Sequence, residues 1–399
     1  MGILRLPEWR TNLYVLWFGS FMTELGNSMT LPFLALYIAT LGNFSASNLN
    51  LLSGIAFAIS YFAKTLVSPL WGRLADLKGR KLMCLRAAGV MTLTILANGF
   101  APNVWWIIFF RMVQGSFSGY INNAQALIAD SAPEHRKGSA LGTLTTGSVT
   151  GGLLGPLVGG ITADIFGYRM TFILAGMGMG IVFLTTLFFV REHFEVKEAK
   201  DLQKDGAGSF KIGWLGIIPA IYIVALTVQA ASTTIQPIVS LFVKDLAPNA
   251  QNIALQSGFV TAAPGLSTMF VAPLFGKWID KIGAKKILVW GIVGAAITIV
   301  PMLFTQTVLQ LFIFRFIFGI TDAAIIPAYQ TLMAQSVPKA AFGRVFSYSQ
   351  SFQAFGNVVG PLTGSMFANL YGYHSVFLIT LVMEVICLLY IGIVRKRSA

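Results

Sequence analysis

The stretch Gly72-Arg-Leu-Ala-Asp76-Leu-Lys-Gly79-Arg80-Lys81 lies between two long apolar segments, and a degraded copy, Gly276-Lys-Trp-Ile-Asp280-Lys-Ile-Gly283, returns 204 positions later. The repeat is not confined to that loop. Pro32 has a counterpart in Pro237, Arg111 in Arg315, Pro133 in Pro338 and Gly155-Pro156 in Gly360-Pro361, at offsets of 204 or 205 throughout. Self-similarity at half the chain length implies two like-ordered halves, and any fold has to accommodate the same element order twice.

The solvent follows from composition. With 55% hydrophobic and 11% charged residues and a mean hydropathy of +0.72, the chain has too little polar surface to cover a water-soluble globule of this size. Windows of about 20 apolar residues, the length that crosses a hydrocarbon core, fit twelve times. They lie near 12–40, 49–72, 81–101, 104–131, 138–165 and 168–190, then 212–243, 252–276, 286–304, 307–336, 340–368 and 374–394. No alternating strand pattern is present, and a lipid-exposed backbone must satisfy its own hydrogen bonds, so the spans are predicted to be helices. The expected fold is an all-α integral membrane protein of twelve transmembrane helices. Residues 1–190 form one six-helix half, 191–211 a cytoplasmic linker and 212–399 the other half.

The net charge of +13 is distributed like that of a membrane protein. Basic residues gather at Arg5 and Arg10, in the 72–81 loop, at Arg136-Lys137, in the linker, at Lys277, Lys281, Lys285 and Lys286, and in the tail Arg395-Lys396-Arg397. The loops on the other side carry only Arg169 and Lys244. This positive-inside pattern places both termini in the cytoplasm and argues against a nucleic-acid partner. The first apolar run is too long for a cleavable signal peptide. Cys84 and Cys387 fall inside spans, so no disulfide is expected, and the three histidines fall in loops or at span ends, which disfavours a metal site. No phosphate loop is present to use a nucleotide, so an ion gradient is the expected source of energy. The linker, which mixes both charges and contains Gly-Ala-Gly-Ser, reads as a tether.

The ionisable residues inside spans are Glu24, Lys64, Arg86, Arg111, Arg315, Asp322 and Glu384. Each costs about 2.5–3.5 kcal/mol at a bilayer centre, so they face a partner, the bundle interior or a watery cavity. On the fourth span Arg111, Gln114, Ser118, Asn122 and Gln125 recur at three or four residues and share a face. The first span offers Glu24 and Asn27, the seventh Gln229, Ser232 and Gln236, the tenth Arg315, Asp322 and Tyr329, and the eleventh Gln350, Gln353 and Asn357. These predict a central cavity walled by spans 1, 4, 7, 10 and 11, although such stripes also glue helices together. Arg111 neutralises Glu24 if the first and fourth spans touch. Lys64 and Arg86 are expected to snorkel towards the cytoplasm, and the role of Glu384 is open. A proton and a cationic cargo competing for one carboxylate would couple their movements, and Glu24 with Arg111, or Asp322 with Arg315, has the ingredients.

On these residues the chain resembles the major facilitator superfamily over nearly its whole length. The 72–81 loop carries every fixed position of that family's signature, Gly72, Asp76, Gly79, Arg80 and Lys81, and Arg111-Met-Val-Gln114-Gly115 is similar to the fourth-helix motif whose arginine the family uses in proton coupling. In the fifth span Gly142, Gly151, Gly155-Pro156 and Gly159-Gly160 resemble the family's antiporter signature, and Leu25-Gly26 with Pro32 resembles the drug:proton antiporter branch. The general layout looks most like the multidrug efflux proteins of Gram-positive bacteria. The resemblance implies a proton-coupled exporter of amphiphilic, often cationic drugs and dyes that works by alternating access in a bacterial cell membrane. It implies a monomer surrounded by lipid; with the proton gradient as the source of energy no cofactor or metal is expected, and no nucleophile, base and orienting group appear together at a spacing that would suggest an enzyme. Asp76, Arg80 and Asp130 would latch the cytoplasmic face in one state, and the second-half copy, with Ala284 and Gln335 at matching positions, would be weak. A transporter of one metabolite, such as a sugar, amino acid or lysolipid, is the alternative. A membrane sensor that does not transport stands further off.

Overall fold

The computed structural model describes residues 7–193, 217–337 and 339–397, and every regular element among them is helical. The first span is α1 (Glu8–Thr30) and α2 (Leu34–Ala39), broken by a 3-10 turn that contains Pro32. The second to sixth spans are α3 (Ala46–Lys78), α4 (Arg80–Gly99), the pair α5 (Val104–Ser116) and α6 (Tyr120–Ser131), α7 (Lys137–Phe166) and α8 (Tyr168–Phe189). The second set follows the same order. The seventh span is α9 (Ile217–Thr233) with α10 (Val239–Leu246), the eighth α11 (Ile253–Ile282) and the ninth α12 (Ala284–Ile299). The tenth is α13 (Val308–Asp322) with α14 (Ile325–Ser336), the eleventh α15 (Lys339–Tyr371) and the twelfth α16 (Ser375–Arg397). Of the linker expected at 191–211, residues 194–211 lie outside the described residues.

The 72–81 stretch, taken as a loop from its charges, is helical as far as Lys78. The 33 residues of α3 span about 50 Å at 1.5 Å each, more than a hydrocarbon core of about 30 Å, so the charged end stands in water while still helical. The turn itself is the single residue Gly79 at φ 89°, and Gly283 repeats it at φ 98°. A side chain would strain either position. The backbone N–H groups of Arg80 and Lys81, left free at the start of α4, donate to the two carboxylate oxygens of Glu192 at 2.7 and 2.8 Å. Nothing in the sequence marked Glu192 as the cap of a helix more than 100 residues away.

Each half builds its own core, one drawn from residues 13–190 and the other from 221–387. Glycine sets how closely helices approach within a half. At Gly147, Gly151, Gly155 and Gly159 an added Cβ would run into the backbone of α1 at Trp17, Phe21, Leu25 and Met29, one turn apart on both helices. Gly356, Gly360 and Gly364 press α15 in the same way against Leu226, Ala230 and Thr234. Such small-residue ladders let van der Waals packing hold helices together where lipid supplies no hydrophobic drive. Gly142 is different: it is exposed with nothing beside it, so it takes no part in the contact that the signature implied.

Two seams join the halves. Gly258 of α11 lies against the Pro156 carbonyl of α7, and Gly160 of α7 against the Ala254 carbonyl. At the repeat-related place Gly54 of α3 lies against Ser365 and the Pro361 carbonyl of α15. Near the same end Leu36 packs with Leu241. These contacts sit at the end of the bundle away from the basic loops, so the halves are closed against each other at that outer end.

Candidate functional site

Span breaks place the site. At the break in the fourth span, Gly119 takes φ 123° and the carbonyls of Ser116, Phe117 and Ser118 lose their helical partners. Trp71 Nε1 donates to the Ser116 oxygen at 2.6 Å. Arg86 Nη2 donates to the Ser118 and Phe117 oxygens at 3.2 and 3.4 Å, with its guanidinium 3.6 Å from the Trp71 ring centre. Arg86 therefore points inward at freed carbonyls, and the snorkelling expected of it does not occur.

Below this break a cavity of about 260 Å³ lies among the first four spans. Its walls are Glu24, Asn27 and Leu31, then Ser60, Tyr61 and Lys64, Met91, and Arg111, Gln114, Gly115 and Ser118. Five residues singled out in the sequence, Glu24, Asn27, Arg111, Gln114 and Ser118, meet here, and Gln114 Nε2 donates to Asn27 Oδ1 at 3.2 Å. The second span, left out of the expected walls, supplies three more. Lys64 lines this cavity together with Glu24. The snorkelling expectation fails because α3 continues to Lys78, which leaves Lys64 about 21 Å from the helix end at 1.5 Å per residue.

Arg111 does not pair with Glu24. It is only 4% exposed, its Nε donates to the Ala56 carbonyl at 2.9 Å, and its Nη2 donates to Ser60 Oγ at 2.7 Å. Arg315 repeats the arrangement in the second half, where Nε donates to the Val260 carbonyl at 3.0 Å. There the acceptor is freed by Pro264, which has no N–H to return to Val260. Gly115 and Gly319 bring these helices close enough, since a Cβ on either would strike the carbonyl of Ser60 or Pro264.

The other expected residues divide. Beyond the break the phase of the fourth span changes, so Asn122 is exposed and Gln125 half-buried. In the second half Gln229 Nε2 donates to Asn357 Oδ1 at 3.0 Å, while Gln236 and Gln353 are half-buried. Tyr329 is 1% exposed inside the second core, on α14 beyond the α13–α14 break. Asp322 ends α13 at that break with Oδ1 buried and unpartnered, and Glu384 of α16, 1% exposed, has both carboxylate oxygens in that condition. Asp130 is exposed, Gly72 has open space around it, and the side chain of Asp76 lies outside the described residues.

The chain matches the Major Facilitator Superfamily over residues 16–220 and 221–399. It is 41% identical over 393 residues to multidrug resistance protein MdtG of Enterobacter lignolyticus (strain SCF1), across 98% of this chain and 94% of that one. Identity to MdtG of Klebsiella pneumoniae (strain 342) is 40%, across 98% and 95%. Among solved structures, a bacterial homologue of the human lysosomal transporter Spinster superposes with a TM-score of 0.80 at 15% identity over 98% of both chains. A D-xylose–proton symporter superposes with a TM-score of 0.79 at 17% identity over 96% of this chain and 97% of that one. With both halves matched to the family and relatives at 41% identity along nearly its full length, this multi-pass membrane protein belongs to the Major Facilitator Superfamily.

Proposed function

We propose that this protein exports amphiphilic, often cationic drugs and dyes in exchange for protons. The observation that carries the reading is Glu24, an acid on the wall of a cavity in a bundle whose outer end is closed. The names of the relatives, multidrug resistance proteins, point to the same cargo. One carboxylate in a low-dielectric cavity is neutralised by a proton or by a cation, and an unneutralised charge there is costly. Loading cargo from the cytoplasm displaces the proton, and reloading the proton from outside releases the cargo. The cavity falls below the 300–1,000 Å³ usual for drug-sized ligands, so it takes the charged end while the apolar body lies between the halves. Arg111 and Arg315, bound to the backbones of spans 2 and 8, make each half a rigid unit that rocks about the glycine seams. In this reading Asp322 carries or relays a proton in the second half, the protein works as a monomer in lipid, and the proton gradient replaces any cofactor.

The test is ethidium efflux from proteoliposomes under an imposed pH gradient, with and without a protonophore. Dye movement that collapses with the gradient is the expected result. No movement by verified, folded protein would transfer the assignment to a transporter of one metabolite.

A further inference from the structure

We infer that Lys64 is the resident counter-ion of Glu24 and that cationic cargo has to displace it, so that the lysine sets which cations the cavity accepts. The inference rests on the antiport reading above for its cargo and on independent geometry for its mechanism. Lys64 of α3 and Glu24 of α1 line the same cavity, and each is the charged neighbour that acts on the other. Among the described residues they form no ion pair within 4 Å, so the two charges share the cavity wall without direct contact.

The other cation on the wall is already engaged. Arg111 gives its Nε and Nη2 hydrogens to Ala56 and Ser60, which fixes it to the second span. Tyr61 is the remaining titratable group on the wall. Lys64 is thus the mobile charge, a compact ammonium on a flexible four-carbon stem. Once the proton has left, it lowers the cost of an ionised Glu24 until cargo takes its place. An arriving cation offers the same service only if it binds the carboxylate better than a tethered amine does. Strong, desolvated organic cations pass that comparison, and weakly interacting ones are refused. The second half has no equivalent, because Gln229 and Thr268 occupy the positions related by the repeat and Thr268 spends its hydroxyl on the Gly319 carbonyl at 3.0 Å.

The experiment measures tetraphenylphosphonium binding to the full-length protein in nanodiscs at fixed pH. It compares wild type, Lys64→Met, Lys64→Arg, Glu24→Gln and the Glu24→Gln/Lys64→Met pair. Lys64→Met is expected to tighten binding on the order of tenfold, the scale of coupling between side chains that share one site. Lys64→Arg restores weak binding, and the methionine has no effect once Glu24 is an amide. Affinity of Lys64→Met within twofold of wild type, or equal tightening of an uncharged dye, overturns the inference. Absence of binding in both wild type and Lys64→Met overturns it as well, since removing the amine then frees nothing. The ethidium efflux assay keeps the two readings apart. Gradient-driven efflux with an inert Lys64 sinks only the counter-ion, and tighter binding without any efflux sinks only the antiport.

Discussion

The two halves share their scaffold and differ in their charges. Arg111 on Ala56 and Arg315 on Val260 are the same clamp made twice, as are Gly115 on Ser60 and Gly319 on Pro264, and Gly54 on Pro361 and Gly258 on Pro156. The acids break the repeat. Glu24 corresponds to Gln229, Lys64 to Thr268, and Asp322 to Ser118. The first half therefore holds an acid and an amine on the wall of one cavity. The second holds Asp322 and Glu384 with buried, unpartnered oxygens inside its packing. Duplication has kept the packing that defines each half, whereas the ionisable groups Glu24, Lys64 and Asp322 exist in single copies.

The largest expected effect separates these acids. Glu24→Gln is expected to reduce gradient-driven ethidium efflux to background while the protein stays folded, and Gln229→Glu in that variant is not expected to restore it, because residue 229 faces Asn357 and the position related to Lys64 is Thr268. Rescue by Gln229→Glu would mean that the halves are chemically interchangeable. Asp322→Asn is expected to lose efflux too, and unimpaired efflux in both amides would end the proton-coupling assignment. Next come the glycine ladders. Gly151→Val and Gly356→Val each force a side chain into the backbone of the neighbouring helix and are expected to lower stability by at least about 1–3 kcal/mol in thermal unfolding, the usual cost of overpacking. Gly142→Val, with open space around it, should leave the melting temperature in place.

Glu384 gives a smaller effect of opposite sign. A buried polar group without a partner costs about 1–3 kcal/mol, so Glu384→Met is expected to raise the melting temperature, whereas Glu24→Gln, which faces the cavity, leaves it nearly unchanged. A destabilised Glu384→Met would show that this carboxyl is held by its surroundings, and the contrast between the halves would narrow.

The spans, their order and the shared face of Arg111, Gln114 and Ser118 were legible in the sequence because lipid imposes one rule on every span and the repeat states it twice. What escaped the reading depended on where a helix ends. Lys64 was placed near an interface because hydropathy fades at residue 72, yet backbone hydrogen bonding carries α3 to Lys78 and puts Lys64 in mid-helix. Arg86 turns inward because the break at 117–119 frees carbonyls for it, and the breaks at 117–119 and 323–324 reset the helix phase for Asn122 and Tyr329 beyond them. Of these two breaks only the first carries a glycine at positive φ, and Ala323-Ala324 gives no signal of the second. Glu192 and Asp164 act on helices far away in sequence, and no local pattern reports such a partner.

Asp164 supplies the smallest effect and the sharpest contrast between the outer seams. The helix N-terminus of α11 has no cap from its own Asn252, and its first N–H groups, at Ala254 and Leu255, donate instead to the Asp164 oxygens at 3.1 and 2.8 Å. Asp164 belongs to the other half, at the end of α7, so this cap exists only while the outer end is closed. The related start of α3 is capped within its own half by Ser45, and the residue matching Asp164 is Asn369. Replacing a capping side chain by alanine costs about 0.5–2 kcal/mol, and here the cost falls on one state of the transport cycle alone. Asp164→Ala is expected to move the population towards the outward-open form by that amount, read as a longer distance between spin labels at the outer ends of α7 and α11. Asn369→Ala should leave the distance between labels on α3 and α15 as it was. Equal shifts at both seams would mean that the outer closure is held by glycine packing alone.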